Sequence, residues 1–367
     1  MLKKILFILH MPPPVHGAAM MGKYIHDSKL INETFECKYI NLTLAKDLND
    51  IGKSGLNKLN VFIQLLKNIR HTVKEFKPDL CYVTPNARGG AFYKDFMVIQ
   101  LLKSLNCKII VHYHNKGVTT RQNKLIDNLL YKQFFKNIKV ILLAEALYLD
   151  IKKYVSRESV YICPNGIPQN INIVKQNTKN PVPHLLFLSN LLIDKGVLTL
   201  LDACKIIKEK GYSFVCIFVG GETTEINSEK FNEELLIRGL KNDVKYLGKK
   251  FGLEKEECFN NSDIFILPTY NECFPLVLLE AMQHQLPCIA TKEGGIPDII
   301  EDGKTGFLIN KKNPEILAGK LITLLNDKAL CKQLGKNGRE KYLKKFTLNS
   351  FEQTLKDILI KNLSCDK

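Results

Sequence analysis

Short apolar runs alternate with longer amphipathic stretches along the whole chain. In the first half the runs are KKILFIL (3–9), ECKYIN (36–41), DLCYVTP (79–85), KIIVHYH (108–114), VILLA (140–144) and VYICP (160–164). Each is too short for a helix and rich in β-branched or aromatic residues, which predicts buried strands. Helical spacing of apolar residues falls between them, roughly at 17–30, 56–76, 91–105, 121–136 and 145–155. The second half repeats the scheme. Strands are expected at HLLFLS (184–189), FVCIFVG (214–220), VKYLG (244–248), DIFILP (263–268), LPCIAT (286–291) and GFLI (306–309), with helices near 196–210, 229–240, 253–260, 275–285 and 313–325. The tail, about 328–362, reads as two further amphipathic helices.

Regular strand–helix alternation means parallel sheets with helices on both faces. The expected fold class is therefore α/β, with two doubly wound Rossmann-like domains facing across a cleft at their strand C-termini. A chain of 367 residues is too long for one ordinary core, which points the same way. The expected boundaries are a first domain over 1–170, a polar, proline-bounded linker over 171–183, a second domain over 184–345, and a C-terminal helix over 346–367 that crosses back to the first domain.

Composition then narrows the class. The chain is 45% hydrophobic and 25% charged, and no apolar run reaches the roughly 18–20 residues that span a bilayer. The N-terminal ILFIL is short and lacks a small-residue cleavage site, so it reads as the first strand and not as a signal peptide. Eleven cysteines occur without a C-x-x-C spacing, which argues against a zinc site and for a reducing, cytoplasmic compartment. The net charge of +16 is lopsided: residues 1–170 hold 25 Lys and Arg against 12 Asp and Glu, the remainder 28 against 25. A basic first half suggests an anionic partner. Nucleic acid is not expected, because no helix-turn-helix, zinc or aromatic RNA-binding pattern is present.

The candidate chemistry is densest at 263–306, DIFILPTYNECFPLVLLEAMQHQLPCIATKEGGIPDIIEDGKTG. Glu272 sits in the loop after a strand and Glu280 in the following helix, with Pro275 suited to the first helical position. A helix N-terminus at the end of a parallel strand suits an anionic ligand. The plain alternative is that Glu280 lies on a solvated helix face. Gly17 follows the first strand, where a glycine lets backbone approach a ligand; HGAAMMG lacks the full G-x-G-x-x-G pattern, so packing competes with function there. His112 and His114 alternate in VHYHNKG and so share one strand face. No third ligand completes a metal set. His114, nearer the strand end, is the preferred ligand contact, although either imidazole could serve only to build the wall. Lys195 and Gly196 open a helix, where a cation is unfavourable unless an anion binds beside it. Gly220–Gly221 and Gly294–Gly295 follow strands on the same edge and suggest ligand access.

As a set, these residues resemble the retaining GT-B glycosyltransferases of family 4. The match is densest in NECFPLVLLEAMQHQLPCIATKEGGIPDIIEDGKTGFLI, which is similar to that family's Glu-x7-Glu motif, and VYICPNGIP is similar to its linker. The resemblance implies that Glu280 hydrogen-bonds the nucleotide ribose. It implies that Glu272 lies by the donor sugar, with the backbone of Cys273, Phe274 and Leu276 nearby. Lys195 would neutralise the diphosphate, Gly17 would close against it, His114 would contact the donor sugar, and Gly248 and Lys249 would flank the base. His114, Glu272 and Lys195 are the residues expected to carry catalysis. Transfer would be metal-independent and free of cofactors, the nucleotide-sugar being a co-substrate, with retention by same-face attack of the acceptor. One departure stands out: the family commonly has an arginine five residues before the lysine, and here that residue is Asn190, a weaker phosphate ligand.

The function so implied is transfer from a nucleotide-diphosphate sugar, UDP by default, to a saccharide or polyprenyl-linked saccharide acceptor in surface polysaccharide biosynthesis. Three other functions compete with it. A glycoside hydrolase needs two carboxylates at set spacings and leaves the lysine and glycines without a role. A nucleotide-sugar epimerase needs acid–base residues not found here. A non-catalytic, membrane-associated protein with a degenerate nucleotide site is favoured only by Asn190. The helix 56–76 mixes Leu, Ile and Phe with Lys58, Lys67, Arg70 and Lys74, which suits peripheral contact with an anionic membrane, as well as plain core packing with a basic outer face.

Overall fold

The computed structural model describes residues 2–13, 16–43, 56–170 and 182–364, without the side chains of 56–58; the side chain of Lys58 and most of the linker 171–183 lie outside the described residues. Two compact units account for the chain: Met1–Gly166 with Leu348–Lys367 (unit 1), and Ile167–Thr347 (unit 2).

Unit 1 is built on six parallel strands, β1 (Lys4–Leu9), β2 (Glu36–Asn41), β3 (Leu80–Val83), β4 (Ile109–His112), β5 (Lys139–Leu142) and β6 (Val160–Ile162), in the order β2-β1-β3-β4-β5-β6. Strands β3 and β4 are buried from end to end and β1 from Ile5 on, as near-continuous apolar runs require. Helices α1 (Gly17–Asp27), α2 (Lys29–Thr34), α3 (Leu56–Phe76), α4 (Gly89–Ser104), α5 (Leu125–Phe135) and α6 (Tyr148–Ile151) connect them. The single helix expected over 17–30 is broken at Ser28, whose backbone is extended and whose hydroxyl caps α2 by accepting from Ile31 N. The helix expected over 145–155 is a 3-10 turn, Glu145–Leu147, followed by the single turn of α6.

Unit 2 repeats the plan with β7 (His184–Leu188), β8 (Val215–Val219), β9 (Val244–Tyr246), β10 (Ile264–Leu267), β11 (Cys288–Thr291) and β12 (Gly306–Ile309), ordered β12-β11-β10-β7-β8-β9. Its helices are α7 (Val197–Glu209), α8 (Ser228–Ile237), α9 (Gly252–Asn260), α10 (Leu276–Gln283), the short α11 (Ile296–Ile299), α12 (Pro314–Asn326) and α13 (Lys328–Lys345). The last helix, α14 (Leu348–Ser364), belongs to unit 1, where it packs on α2 and brings Phe351 alongside His112. Both sheets are doubly wound: the chain leaves the central strand in one direction, returns, and continues in the other. That reversal lies between β1 and β3 in unit 1 and between β7 and β10 in unit 2, and the crevice it leaves at the strand C-termini is where such sheets bind ligands.

Candidate functional site

In unit 2 the chain after β7 carries Asn190 and Lys195, and the chain after β10 carries Glu272. Gly196 brings them together. Its backbone is left-handed (φ +80°), and a Cβ there would lie 2.1 Å from Pro268 O, so only glycine lets the β7 loop close on the end of β10. Tyr270 N donates to Asp194 O at 2.7 Å and fastens the contact. Lys195 Nζ then reaches Glu272 Oε2 at 2.5 Å, with both side chains about one-fifth exposed. The anion that a lysine beside a helix start calls for is thus supplied within the chain. Lys195 does not itself open the helix: it ends a 3-10 turn, and α7 begins at Val197.

Glu272 also accepts from the backbone N of Cys273 at 3.2 Å. Cys273 and Phe274 are buried, and Leu276 is the first residue of α10. Pro275 is the cap of α10, extended at ψ 117°, and not its first helical residue: a proline ring tolerates the extended cap as well as the first turn. Gly294 and Gly295 lie directly against this loop. A Cβ on Gly294 would stand 2.2 Å from Glu272 O, and Gly295 N donates to Cys273 O at 2.7 Å. Their role here is close packing under Glu272, where the sequence suggested ligand access.

Glu280, one turn into α10, meets Lys255 of α9. Lys255 Nζ is 2.7 Å from each carboxylate oxygen and donates to Oε1. Oε2 is enclosed, with no donor aligned on it among the described residues. Burial pushes the Glu280 carboxyl up from its ordinary value, and the nearby Lys255 pulls it partly back. A carboxylate that shares one ammonium between its two oxygens keeps acceptor capacity for a hydroxyl or water. Glu272 and Glu280 therefore have separate cations and separate surroundings.

Asn190, Gly248 and Lys249 gather at the ends of β7, β8 and β9. Asn190 Oδ1 accepts from Gly221 N at 3.0 Å, Gly220 N donates to Gly248 O at 2.9 Å, and Tyr246 OH donates to Gly220 O at 2.8 Å. A Cβ on Gly221 would meet Lys249 Cε at 2.3 Å.

In unit 1, His112 ends β4 and His114 lies two residues beyond; their ring centroids are 4.3 Å apart with the planes tilted by 40°, on one face as the alternation requires. They differ in their partners. His112 Nδ1 is 2.6 Å from Tyr82 OH inside the sheet. Among the described residues neither ring nitrogen of His114 reaches a partner, although the Asn165 side chain faces it. Burial drives the His114 imidazole down to about 4, with Asn165 opposing and His16 assisting, so it is neutral at physiological pH. His10, following β1, is held down to about 3 by burial and then by the Lys94 charge. Sequence reasoning missed His10 and His16; both lie at the end of β1, His16 capping α1 by accepting from Ala19 N. Gly17 begins α1, and a Cβ there would meet open space. The glycine of HGAAMMG that packing demands is Gly22, whose Cβ would fall 2.0 Å from His10 O. Lys255 was also missed, because only the fold brings α9 beside α10. Among the described residues no three His, Cys, Asp or Glu side chains gather as a metal site.

Comparison with known proteins adds the following. The family model described as glycosyl transferases group 1 matches residues 169–341, nearly all of unit 2. The capsular polysaccharide biosynthesis glycosyltransferase CapM of Staphylococcus aureus is 32% identical over 161 residues, covering 44% of this chain and 41% of CapM. The amylovoran biosynthesis glycosyltransferase AmsK of Erwinia amylovora is 24% identical over 288 residues, covering 76% of this chain and 69% of AmsK. The match to CapM thus spans about two-fifths of that protein. Among solved structures, the Anabaena protein HepE in complex with UDP superposes with a TM-score of 0.76 at 16% identity, covering 98% of this chain and all of that one (100%). At that identity the likeness concerns the fold, and the fold is the GT-B one.

Proposed function

We propose that this chain, whose residues 169–341 match the family model of the glycosyl transferases group 1, transfers a sugar from a nucleotide-diphosphate donor to a saccharide or lipid-linked saccharide in surface polysaccharide synthesis. The observation that carries the reading is the Glu280 carboxylate, set on the first helix after the crevice strand β10 with both oxygens sharing the one Lys255 ammonium. Two oxygens that share one ammonium keep acceptor capacity for the hydroxyls of a ribose diol. Lys195 is assigned to the diphosphate, and Glu272, released from it as the phosphates take over the ammonium, to the sugar. The backbone of Cys273, Phe274 and Leu276 flanks the sugar, and Gly248 the base. In unit 1, His114 is assigned to a sugar hydroxyl, for which a neutral imidazole is suited, and Gly17 to backbone approach. The names of CapM and AmsK support polysaccharide synthesis, and the UDP bound to HepE supports UDP as the donor nucleotide.

The leaving diphosphate is stabilised in this proposal by Lys195 and backbone N–H groups and not by a metal; transfer is retaining, by same-face attack. The test is Glu280→Gln, which keeps the size and removes the charged acceptor. Affinity for UDP, by calorimetry, should fall about 10- to 100-fold with the circular dichroism unchanged. Wild-type affinity in this variant would refute the ribose assignment. EDTA should leave transfer intact, and product anomeric configuration by NMR tests retention.

A membrane role for unit 1 is part of the same proposal. The C-terminal half of α3 packs inward through Leu65, Ile69, Val73 and Phe76, while Leu59, Val61 and Ile63 are exposed. Helix α5 also exposes Leu125, Ile126 and Leu129 beside Lys124 and Lys132. Apolar side chains among lysines fit the headgroup boundary of an anionic membrane. No described helix is long and apolar enough to cross one. Cosedimentation with anionic liposomes at low salt should remove the protein from the supernatant; equal recovery with and without liposomes would refute the contact.

A further inference from the structure

Asn190 stands where the resemblance calls for an arginine, which leaves the diphosphate one positive charge short. We infer that Lys249 supplies that charge, acting with the Asn190 amide as a phosphate-binding pair over Gly221, and so reads the phosphates and not the base. This rests on the nucleotide-sugar reading above.

Four observations carry it. First, Lys249 is laid across Gly221: the position of a Cβ on Gly221 is 2.3 Å from Lys249 Cε and 3.2 Å from its Nζ, and 3.0 Å from Asn190 Oδ1. The absent side chain is what lets the lysine stem cross toward Asn190. Second, the two residues are held in register. Asn190 Oδ1 is committed to Gly221 N, Leu191 N donates to Gly221 O at 2.8 Å, and Gly220 N donates to Gly248 O, the residue before Lys249. The Asn190 carbonyl oxygen is thereby turned inward, and its amide Nδ2 has no partner among the described residues. Third, four other lysines of unit 2 are taken. Lys195 pairs with Glu272, Lys250 with Glu254, Lys255 with Glu280 and Lys311 with Glu293. Among the described residues no carboxylate pairs with Lys249. Fourth, Lys249 and Asn190 follow β9 and β7 on the C-terminal edge that also carries Lys195.

An ammonium on a flexible stem is a point charge and tolerates phosphate positions that a planar guanidinium fork does not. Asn190 Nδ2 adds a neutral donor beside it. A lysine at 249 and an asparagine at 190 can thus divide between them the charge and the hydrogen bond that one arginine would supply.

The experiment is a variant cycle read by calorimetry with UDP, GDP and uridine as probes. Lys249→Ala should weaken the preferred nucleoside diphosphate about ten-fold and leave uridine unchanged if uracil is the base. It should also flatten the salt dependence of binding, since one charge contact is lost. Asn190→Arg should restore affinity in the Lys249→Ala background and do little in the wild type. Gly221→Ala, which displaces the lysine stem without removing its charge, should weaken the diphosphate alone; thermal melts check that each variant is folded. If Lys249→Ala leaves diphosphate affinity intact while Lys195→Ala lowers it, this inference falls and the nucleotide reading stands. Equal losses for UDP and uridine would place Lys249 at the base and also overturn it. Failure of the wild type to bind either UDP or GDP would overturn both.

Discussion

At the C-terminal edge of the unit 2 sheet, Lys195, Lys255 and Lys311 each meet a carboxylate; at the same edge of unit 1, His10, His112 and His114 lie among tyrosine, asparagine and one another. The same winding places both sets, but the electrostatics differ. Unit 2 keeps charges there, mostly about one-quarter exposed and paired, so that an arriving phosphate or hydroxyl can exchange with an existing partner. Unit 1 keeps there, beside one buried ion pair, Lys94–Asp95, imidazoles that burial has made neutral. A paired charge suits an anionic ligand, and a desolvated neutral imidazole suits a sugar hydroxyl. The basic excess of unit 1 lies elsewhere on its surface, on helices such as α3 and α5.

The largest expected difference between the two edges is catalytic. Lys195→Met should lower kcat for sugar transfer roughly 10²- to 10³-fold, the range for removing a group that stabilises a developing negative charge. His114→Ala should cost about ten-fold, as the loss of one neutral hydrogen bond does. Steady-state kinetics with the donor identified by binding reads both. Equal losses would break the comparison, because the imidazole would then be acting on charge.

Glycines come next, and they sharpen the comparison mechanically. Gly22 in unit 1 and Gly196 in unit 2 each press a helix start or its loop against backbone at the sheet edge, Gly22 on His10 O and Gly196 on Pro268 O. Gly22→Ala should destabilise its unit by about 1–3 kcal/mol through overpacking. Gly196→Ala adds the left-handed backbone penalty of about 1 kcal/mol and should also move Lys195 away from Glu272. Peptide-resolved hydrogen exchange assigns each loss to its unit. Activity lost in Gly196→Ala without loosening of unit 2 would show that position, more than stability, depends on this glycine.

The central strands were readable because a strand buried on both faces writes itself as an unbroken apolar run, whereas the edge strands β2 and β9 mix buried and exposed positions. Two helices were misjudged, at Ser28 and around Glu145–Ile151, where a polar cap and a 3-10 turn leave the apolar spacing almost unchanged. The carboxylates of 263–306 were visible because they share one contiguous segment, and the Lys195–Glu272 pair joins two of the residues singled out from the sequence. Lys255 was not visible, since its partner is 25 residues away and only helix packing unites them. Gly22 and Gly17 have the same sequence context on paper; what separates them is whether His10 O or open space lies beyond the Cα. His10 gave no signal as a lone histidine after a strand, and its neutrality is a product of burial.

That neutrality gives the smallest and most selective prediction. His114 is held to about 4 and His10 to about 3 in the folded chain, against an ordinary 6.5 in the unfolded one. Between pH 6.5 and 4 the unfolded state binds protons that the folded state refuses, so unit 1 loses stability as pH falls through that window and gains nothing from higher pH. The full slope for one such group is about 1.4 kcal/mol per pH unit. Glu280 runs the other way: its carboxyl is raised in the fold, so protonation just above its ordinary range favours the folded unit 2. Acidification from pH 7 to 5 should therefore speed hydrogen exchange in β1 and β4 before it does so in β7 and β10. His114→Gln should reduce that acid sensitivity in unit 1 and leave unit 2 unchanged. If the two units loosened together, or if His114→Gln left the unit 1 profile as it was, the buried imidazole would not be the source of the difference.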